Sequence, residues 1–145
     1  MKRRSLGLRA WAPPDSVAVA EWWDDCWTDA CPEPSQVPSP AAEVSVAGCR
    51  ADVQLITLDG VPSGLVATDD RVVCMIALRR GLRGWGYGSE AFVLVERSRI
   101  LPPQALTSPR VGLSLYFWLR LGYAPVTSQP YAPAALLLEK LPDGG

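Results

Sequence analysis

Residues Arg71 to Arg97 constrain this chain of 145 residues more than any other segment. Arg71-Val-Val-Cys-Met-Ile-Ala-Leu78 is dense in β-branched and large apolar side chains and reads as a strand. It runs into Arg79-Arg-Gly-Leu-Arg-Gly-Trp-Gly-Tyr-Gly88, and at once into a short apolar helix, Ser89 to Arg97. Strand, glycine turn and helix in that order aim several backbone N–H groups and a helix N-terminus at one point. Glycine suits the turn because a Cβ would hinder both close approach and the positive φ angles of such a nest. The expected occupant is an anion, and a phosphorylated ligand fits best.

Of two familiar phosphate loops, the residues exclude one and fit the other poorly. A P-loop needs a lysine after its last glycine, and no lysine lies between Lys2 and Lys140. Gly84, Gly86 and Gly88 are spaced G-x-G-x-G rather than G-x-G-x-x-G. The acidic residue a dinucleotide fold wants about 20 positions later is absent from Gln104 to Ser108.

Arg83-Gly-Trp-Gly-Tyr-Gly88 instead resembles the [RQ]-x-x-G-x-[GA] pyrophosphate loop of the GNAT superfamily of acetyl-CoA-dependent N-acetyltransferases. Leu113-Ser-Leu-Tyr-Phe-Trp-Leu-Arg-Leu-Gly-Tyr123 resembles the family's later helix with its Leu-Gly-aromatic corner. Leu6-Gly-Leu-Arg-Ala-Trp-Ala-Pro-Pro-Asp15 resembles its first strand and helix entry. The three matches occur in order over most of the chain. They imply an α/β (α+β) fold in a single domain, residues 1–145. Its sheet is mixed and mostly antiparallel, with about six to seven strands splayed at the centre and about four helices on its flanks.

Composition agrees with one globular unit, since 48% of residues are hydrophobic and six are tryptophan. No apolar run approaches the ~20 residues of a membrane helix. Met1-Lys-Arg-Arg4 imitates the start of a signal peptide, but Arg9 and Pro13-Pro14 interrupt the apolar stretch behind it, so no targeting segment is read. There is no histidine, and Cys26, Cys31, Cys49 and Cys74 show no C-x-x-C spacing. Free thiols in a cytoplasmic protein without a metal site are expected. Asp15 to Asp70 holds eleven acids and one base, Arg50; Arg71 to Arg120 holds eight arginines and two acids, Glu90 and Glu96. The basic half contains the glycine loop. Arg83, with Arg79 or Arg80, is a candidate phosphate contact. The acidic half suggests a cationic acceptor.

Leu6 to Trp11 reads as a first strand, with Pro13 to Ser16 as helix-start residues. Val17 to about Thr28 then reads as one helix, with Val19, Trp23 and Trp27 on a stripe that Trp22 and Cys26 widen. Four prolines between Cys31 and Glu43 mark a loop, with room for an unseen helix around 31–50. Asp59-Gly60 is a hairpin signal between strands 53–58 and 63–68. Further strands are expected near 104–107, 123–126 and 135–141. A helix at 111–121 is expected to be capped by Gly122.

The resemblance implies transfer of an acetyl group from acetyl-CoA to a primary amine of a small molecule or peptide, by direct attack in a ternary complex. Arg83, Gly84, Trp85, Gly86, Tyr87, Gly88 and Ser89 would hold the pyrophosphate. Ile76, Ala77 and Leu78 would meet the pantetheine arm and the thioester carbonyl. Trp118 stands where many members carry a tyrosine acid, which leaves Tyr116 as the candidate phenol of that helix. Asp70 and Glu139 are candidate bases. Neither nucleic acid nor membrane is an expected partner; the oligomeric state stays open, a homodimer being one option because family members are often dimers. A module of the same fold that binds acyl-CoA without catalysis stays open as the alternative.

Overall fold

The computed structural model describes residues 4–30, 37–46, 49–99, 102–107, 112–126 and 136–142. Asp59 and Gly60 both take positive φ, 50° and 81°, so they form a two-residue turn whose twist matches that of the flanking strands. It joins β3 (Cys49–Leu58) to β4 (Val61–Thr68). Asp59 also clamps β1 (Leu6–Ala10): Ser5 N–H donates to its Oδ1 at 2.8 Å, and its own N–H donates to the Ser5 carbonyl. β1 pairs with one end of β3, and β2 (Glu43–Val46) pairs with the other end on the same edge. β2 lies where an unseen helix was allowed for; its alternating exposed and buried residues are the half-buried strand pattern.

The sheet has eight strands and runs β1-β3-β4-β5-β6-β8-β7, with β5 (Val72–Leu78), β6 (Gln104–Thr107), β7 (Tyr123–Pro125) and β8 (Leu136–Lys140). Every pairing is antiparallel except β5 with β6. That parallel pair is matched only at Val72–Gln104 and Val73–Ala105. At the same level β4 and β5 slip register: Thr68 opposes Val73 and Ala67 opposes Met75, leaving Cys74 as an extra residue. A bulge bends its strand and increases its twist. Beyond it β5 departs from β6, and the expected central splay is observed.

Helices α1 (Asp15–Ala18) and α2 (Trp23–Ala30) lie on one side of the sheet, and α3 (Tyr87–Arg97) and α4 (Gly112–Arg120) on the other. The continuous helix expected over 17–28 is broken at Val19 to Trp22. Neighbouring residues on a straight helix diverge by about 100°. The break lets Trp22 and Trp23 both pack inward, at 4% and 1% exposure. On the opposite side, Phe92, Trp118 and Tyr123 meet edge to face with centroids 4.9–5.5 Å apart, locking α3 to α4. Gly122, at φ +87°, ends α4 as expected.

Two buried tryptophans on α2 make a controlled comparison. Trp23 Nε1–H donates to the Pro38 carbonyl at 2.6 Å, whereas Trp27 Nε1–H has no acceptor among the described residues. A buried unpaired donor costs about 1–3 kcal/mol, which phenylalanine would relieve. Urea unfolding should therefore show Trp27→Phe as the milder change, and Trp23→Phe as more destabilising by an amount of that order. Equal losses would show that the Pro38 bond contributes nothing.

Candidate functional site

A cavity of about 1000 Å³ opens where β5 and β6 part. That is ample for a cofactor-sized ligand. One wall is the far end of β5, Met75 to Leu78, with Leu106 of β6 across the gap. Beyond Val73 the β6-facing backbone of β5 has no strand partner among the described residues. The other walls are α2's last turn (Thr28, Asp29, Ala30), the loop after β5, and Phe117, Trp118 and Arg120 of α4.

The loop is built as its glycines suggest. After a 3-10 turn at Arg80–Leu82, Gly84 and Gly86 take φ +86° and +83°, a left-handed conformation costly for other residues. α3 then starts at Tyr87, two residues before the expected Ser89, with no side-chain cap on its first turn. The first amides of a helix have no intrahelical acceptor, so Gly88 and Ser89 offer N–H groups at a dipole's positive end. Gly88 touches the opposite wall: a Cβ there would stand 3.3 Å from Phe117 Cε2. Among the described residues this is a ready anion cradle of three glycines and an uncapped helix.

Ile76, Ala77, Leu78, Arg83, Gly84, Gly86, Tyr87, Gly88 and Ser89 all line the cavity, as does Arg80. Trp85 does not; with Gly84 and Gly86 both left-handed, its side chain stands outside, 52% exposed. Tyr116 is likewise off the wall, 58% exposed on the outer face of α4 beneath the Arg120 guanidinium. Trp118 faces inward in its place, because α4 buries Trp118 against Phe92 and Tyr123 and so turns Tyr116 outward. Asp70 lies at the opposite end of β5, in a separate cleft with Trp11 and Asp52, and Glu139 is exposed, accepting from Gln104 Nε2 at 2.8 Å. Neither carboxylate reaches the gap.

Asp29 is the residue that sequence reasoning missed. Its Oδ2 lies 2.8 Å from Arg80 Nε and 2.7 Å from Arg83 Nη1, and its Oδ1 lies 3.0 Å from Arg80 Nη2. Asp25 adds a 3.3 Å contact to Arg80. Arg83 Nε–H also donates to the Leu78 carbonyl at 2.8 Å. The guanidinium expected on phosphate thus ties α2 to the end of β5, while Gly84, Gly86 and Gly88 after it line the cavity. Part of the acidic half is consequently spent on the basic half instead of awaiting a cationic acceptor. The available signal was Asp29 at a helix C-terminus, where a carboxylate opposes the dipole, with the like charge of Asp25 at i−4.

Hydrogen bonds from Arg80, then Arg83, pull the Asp29 carboxyl from 3.8 to about 2. A carboxylate depressed in the folded state stabilises above its unfolded pKa, and that contribution disappears as pH falls through the folded value. Tryptophan fluorescence should show acid-dependent loss of stability between pH 4 and 2, and Asp29→Asn should flatten it. An unchanged acid limb would assign the loss elsewhere, for example to the buried Asp15 paired with exposed Arg9. Burial pushes the Cys26 thiol up to about 12, which leaves no thiolate nucleophile there at neutral pH. Cys26 and Cys74 are buried; the Cys31 and Cys49 side chains fall outside the described residues.

No family model and no curated protein sequence matches the chain. Solved structures do. An acetyltransferase from Agrobacterium tumefaciens superposes with TM-score 0.66 at 20% identity, covering 95% of this chain and 91% of that one. A GCN5-related N-acetyltransferase from Rhodopseudomonas palustris gives 0.62 at 17% identity, covering 97% and 99%. This is the GNAT fold. PaiA N-acetyltransferase from Thermoplasma acidophilum, solved in complex with coenzyme A, shares the GNAT fold at TM-score 0.61 and 10% identity, covering 94% and 98%. No helix among the described residues is long and apolar enough to cross a membrane.

Proposed function

We propose that this chain is a GNAT-type acyltransferase that moves an acetyl group from acetyl-CoA to a primary amine of a small molecule or peptide. One observation carries the reading: the departing end of β5 and the uncapped start of α3 line one cavity. The residues fit coenzyme A, since left-handed Gly84 and Gly86 and the Cβ-free Gly88 leave room for a diphosphate on the amides. Acetyl-CoA, when bound, supplies an activated thioester. The amides of Gly84 to Ser89 would hold its anionic end, and the β6-facing backbone of β5 around Ile76, without a strand partner among the described residues, would orient the pantetheine arm. A β5 N–H on the acyl oxygen would act as an oxyanion donor, an interaction typically worth about 2.7–4 kcal/mol. The neutral amine would attack the thioester carbonyl directly and lose a proton to solvent, while the C–S bond breaks and the coenzyme A thiolate takes up a proton, so no protein nucleophile is needed.

Trp118 has no acidic proton to offer, and the cavity's one carboxylate among the described residues, Asp29, is held as an ion pair. Proton exchange therefore runs through solvent. The dependence of kcat/KM on pH should track the ionisation of the acceptor ammonium and move when an amine of different basicity is used. A fixed inflection across amines would reveal a protein acid or base and contradict this.

Trp118 in the cavity wall also favours a second reading, a module that binds acyl-CoA without turnover. Thiol release from acetyl-CoA across a panel of amines, read beside the thermal shift with coenzyme A, separates the two. Release establishes the enzyme; a thermal shift without release establishes the binding module. Absence of both signals would overturn both readings.

A further inference from the structure

The loop arginines are already holding an anion, and it belongs to the protein. Arg80 presents Nε and Nη2 to the two oxygens of Asp29 in a bidentate fork, and Arg83 Nη1 shares one of those oxygens. Asp25 supplies a second negative charge at 3.3 Å from Arg80. Two arginines thus face two carboxylates, and the charge of Arg80 and Arg83 is balanced within the protein. The arrangement runs against the local preferences of α2. Asp29 lies in its last turn, where a carboxylate meets the negative end of the dipole, and the like charge of Asp25, itself in the first turn, stands at i−4 from it. Arg80, Arg83 and Asp29 all line the cavity beside Gly84. A guanidinium fork that matches a carboxylate matches a phosphate equally well.

We infer that Asp29 is an affinity-setting residue for the ligand's diphosphate: it occupies the Arg80–Arg83 fork as an internal competitor, and the arginines exchange it for phosphate when the ligand arrives. This rests on the assignment of the cavity to coenzyme A. Arg80, at 57% side-chain exposure, is free to swing, while the Leu78 carbonyl anchors Arg83 beside the loop. The competitor acts only on phosphorylated ligands. It therefore lowers the advantage of coenzyme A over its unphosphorylated fragment.

Calorimetric titration of the full chain with coenzyme A and with pantetheine, which carries no phosphate, tests this. Asp29→Asn should bind coenzyme A about tenfold more tightly, a change of ~1.4 kcal/mol, and pantetheine with unchanged affinity. Asp29→Glu, which keeps the carboxylate, should stay near wild type, and Arg80→Gln should erase the gain in Asp29→Asn. Asp25→Asn should give a smaller gain of the same sign, and serves if Asp29→Asn does not fold. Equal or weaker coenzyme A binding by the asparagine variants overturns the inference and makes the ion pairs a structural brace. Failure of the wild-type chain to bind coenzyme A would instead overturn the assignment of the cavity.

Discussion

Gly64→Val should both destabilise the protein and abolish ligand binding, the largest effect expected of any single change here. Gly64 lies in β4 directly opposite Leu78, the last residue of β5. A Cβ built on it overlaps the Ala77 carbonyl oxygen and stands 2.9 Å from Leu78 Cα. Both are backbone atoms, so no side-chain rotation relieves the clash. The end of β5 must move, and that end is the wall of the gap. Overpacking of this kind costs about 1–3 kcal/mol and occasionally more. The urea midpoint should fall, and coenzyme A should no longer raise the melting temperature. A valine variant with native stability and binding would mean that β5 tolerates displacement, contrary to the role given to its end.

Gly86→Val should separate binding from folding. Gly86 precedes α3 with φ +83° and ψ 5°, is exposed, and contributes no side chain to either core. A β-branched residue is a genuine outlier in that region, and the left-handed conformation costs about 1–2 kcal/mol for residues with a Cβ. The loop can escape by abandoning that conformation, which disperses the amides of Gly84 to Ser89. Stability should change little, while affinity for coenzyme A falls tenfold or more. The same affinity in Gly86→Val as in wild type would remove the cradle from the account.

These two glycines show what the sequence made legible. Gly86 belongs to a local motif, in which spacing and residue type alone specify a turn and a helix start, and the structure keeps it where it was read. Asp59-Gly60 and Gly122 are legible for the same reason, since positive φ is a property of a few adjacent residues. Gly64 carries no such mark. It is needed because of an atom in the next strand, 14 positions away, and nothing near Ser63-Gly64 announces that. The Asp29 pairing is remoter still, spanning 51 residues to Arg80. The break between α1 and α2 was hidden because the stripe of Val19, Trp23 and Trp27 is helical on paper, whereas burying Trp22 beside Trp23 needs a bend. The bulge at Cys74 opens the gap, yet an unbroken apolar strand gives no hint of where its register slips. In Tyr116 and Trp118, packing decided which aromatic faced inward, and the larger ring won the core position.

Backbone amide shifts monitored by ¹⁵N-resolved NMR during titration with coenzyme A test the central claim most directly. The largest changes should fall on Gly84, Gly86, Gly88 and Ser89, with smaller ones along Ile76 to Leu78 and none at Asp52 or Asp70 in the distant cleft. Changes absent from the glycine loop, or concentrated in that cleft, would contradict the account.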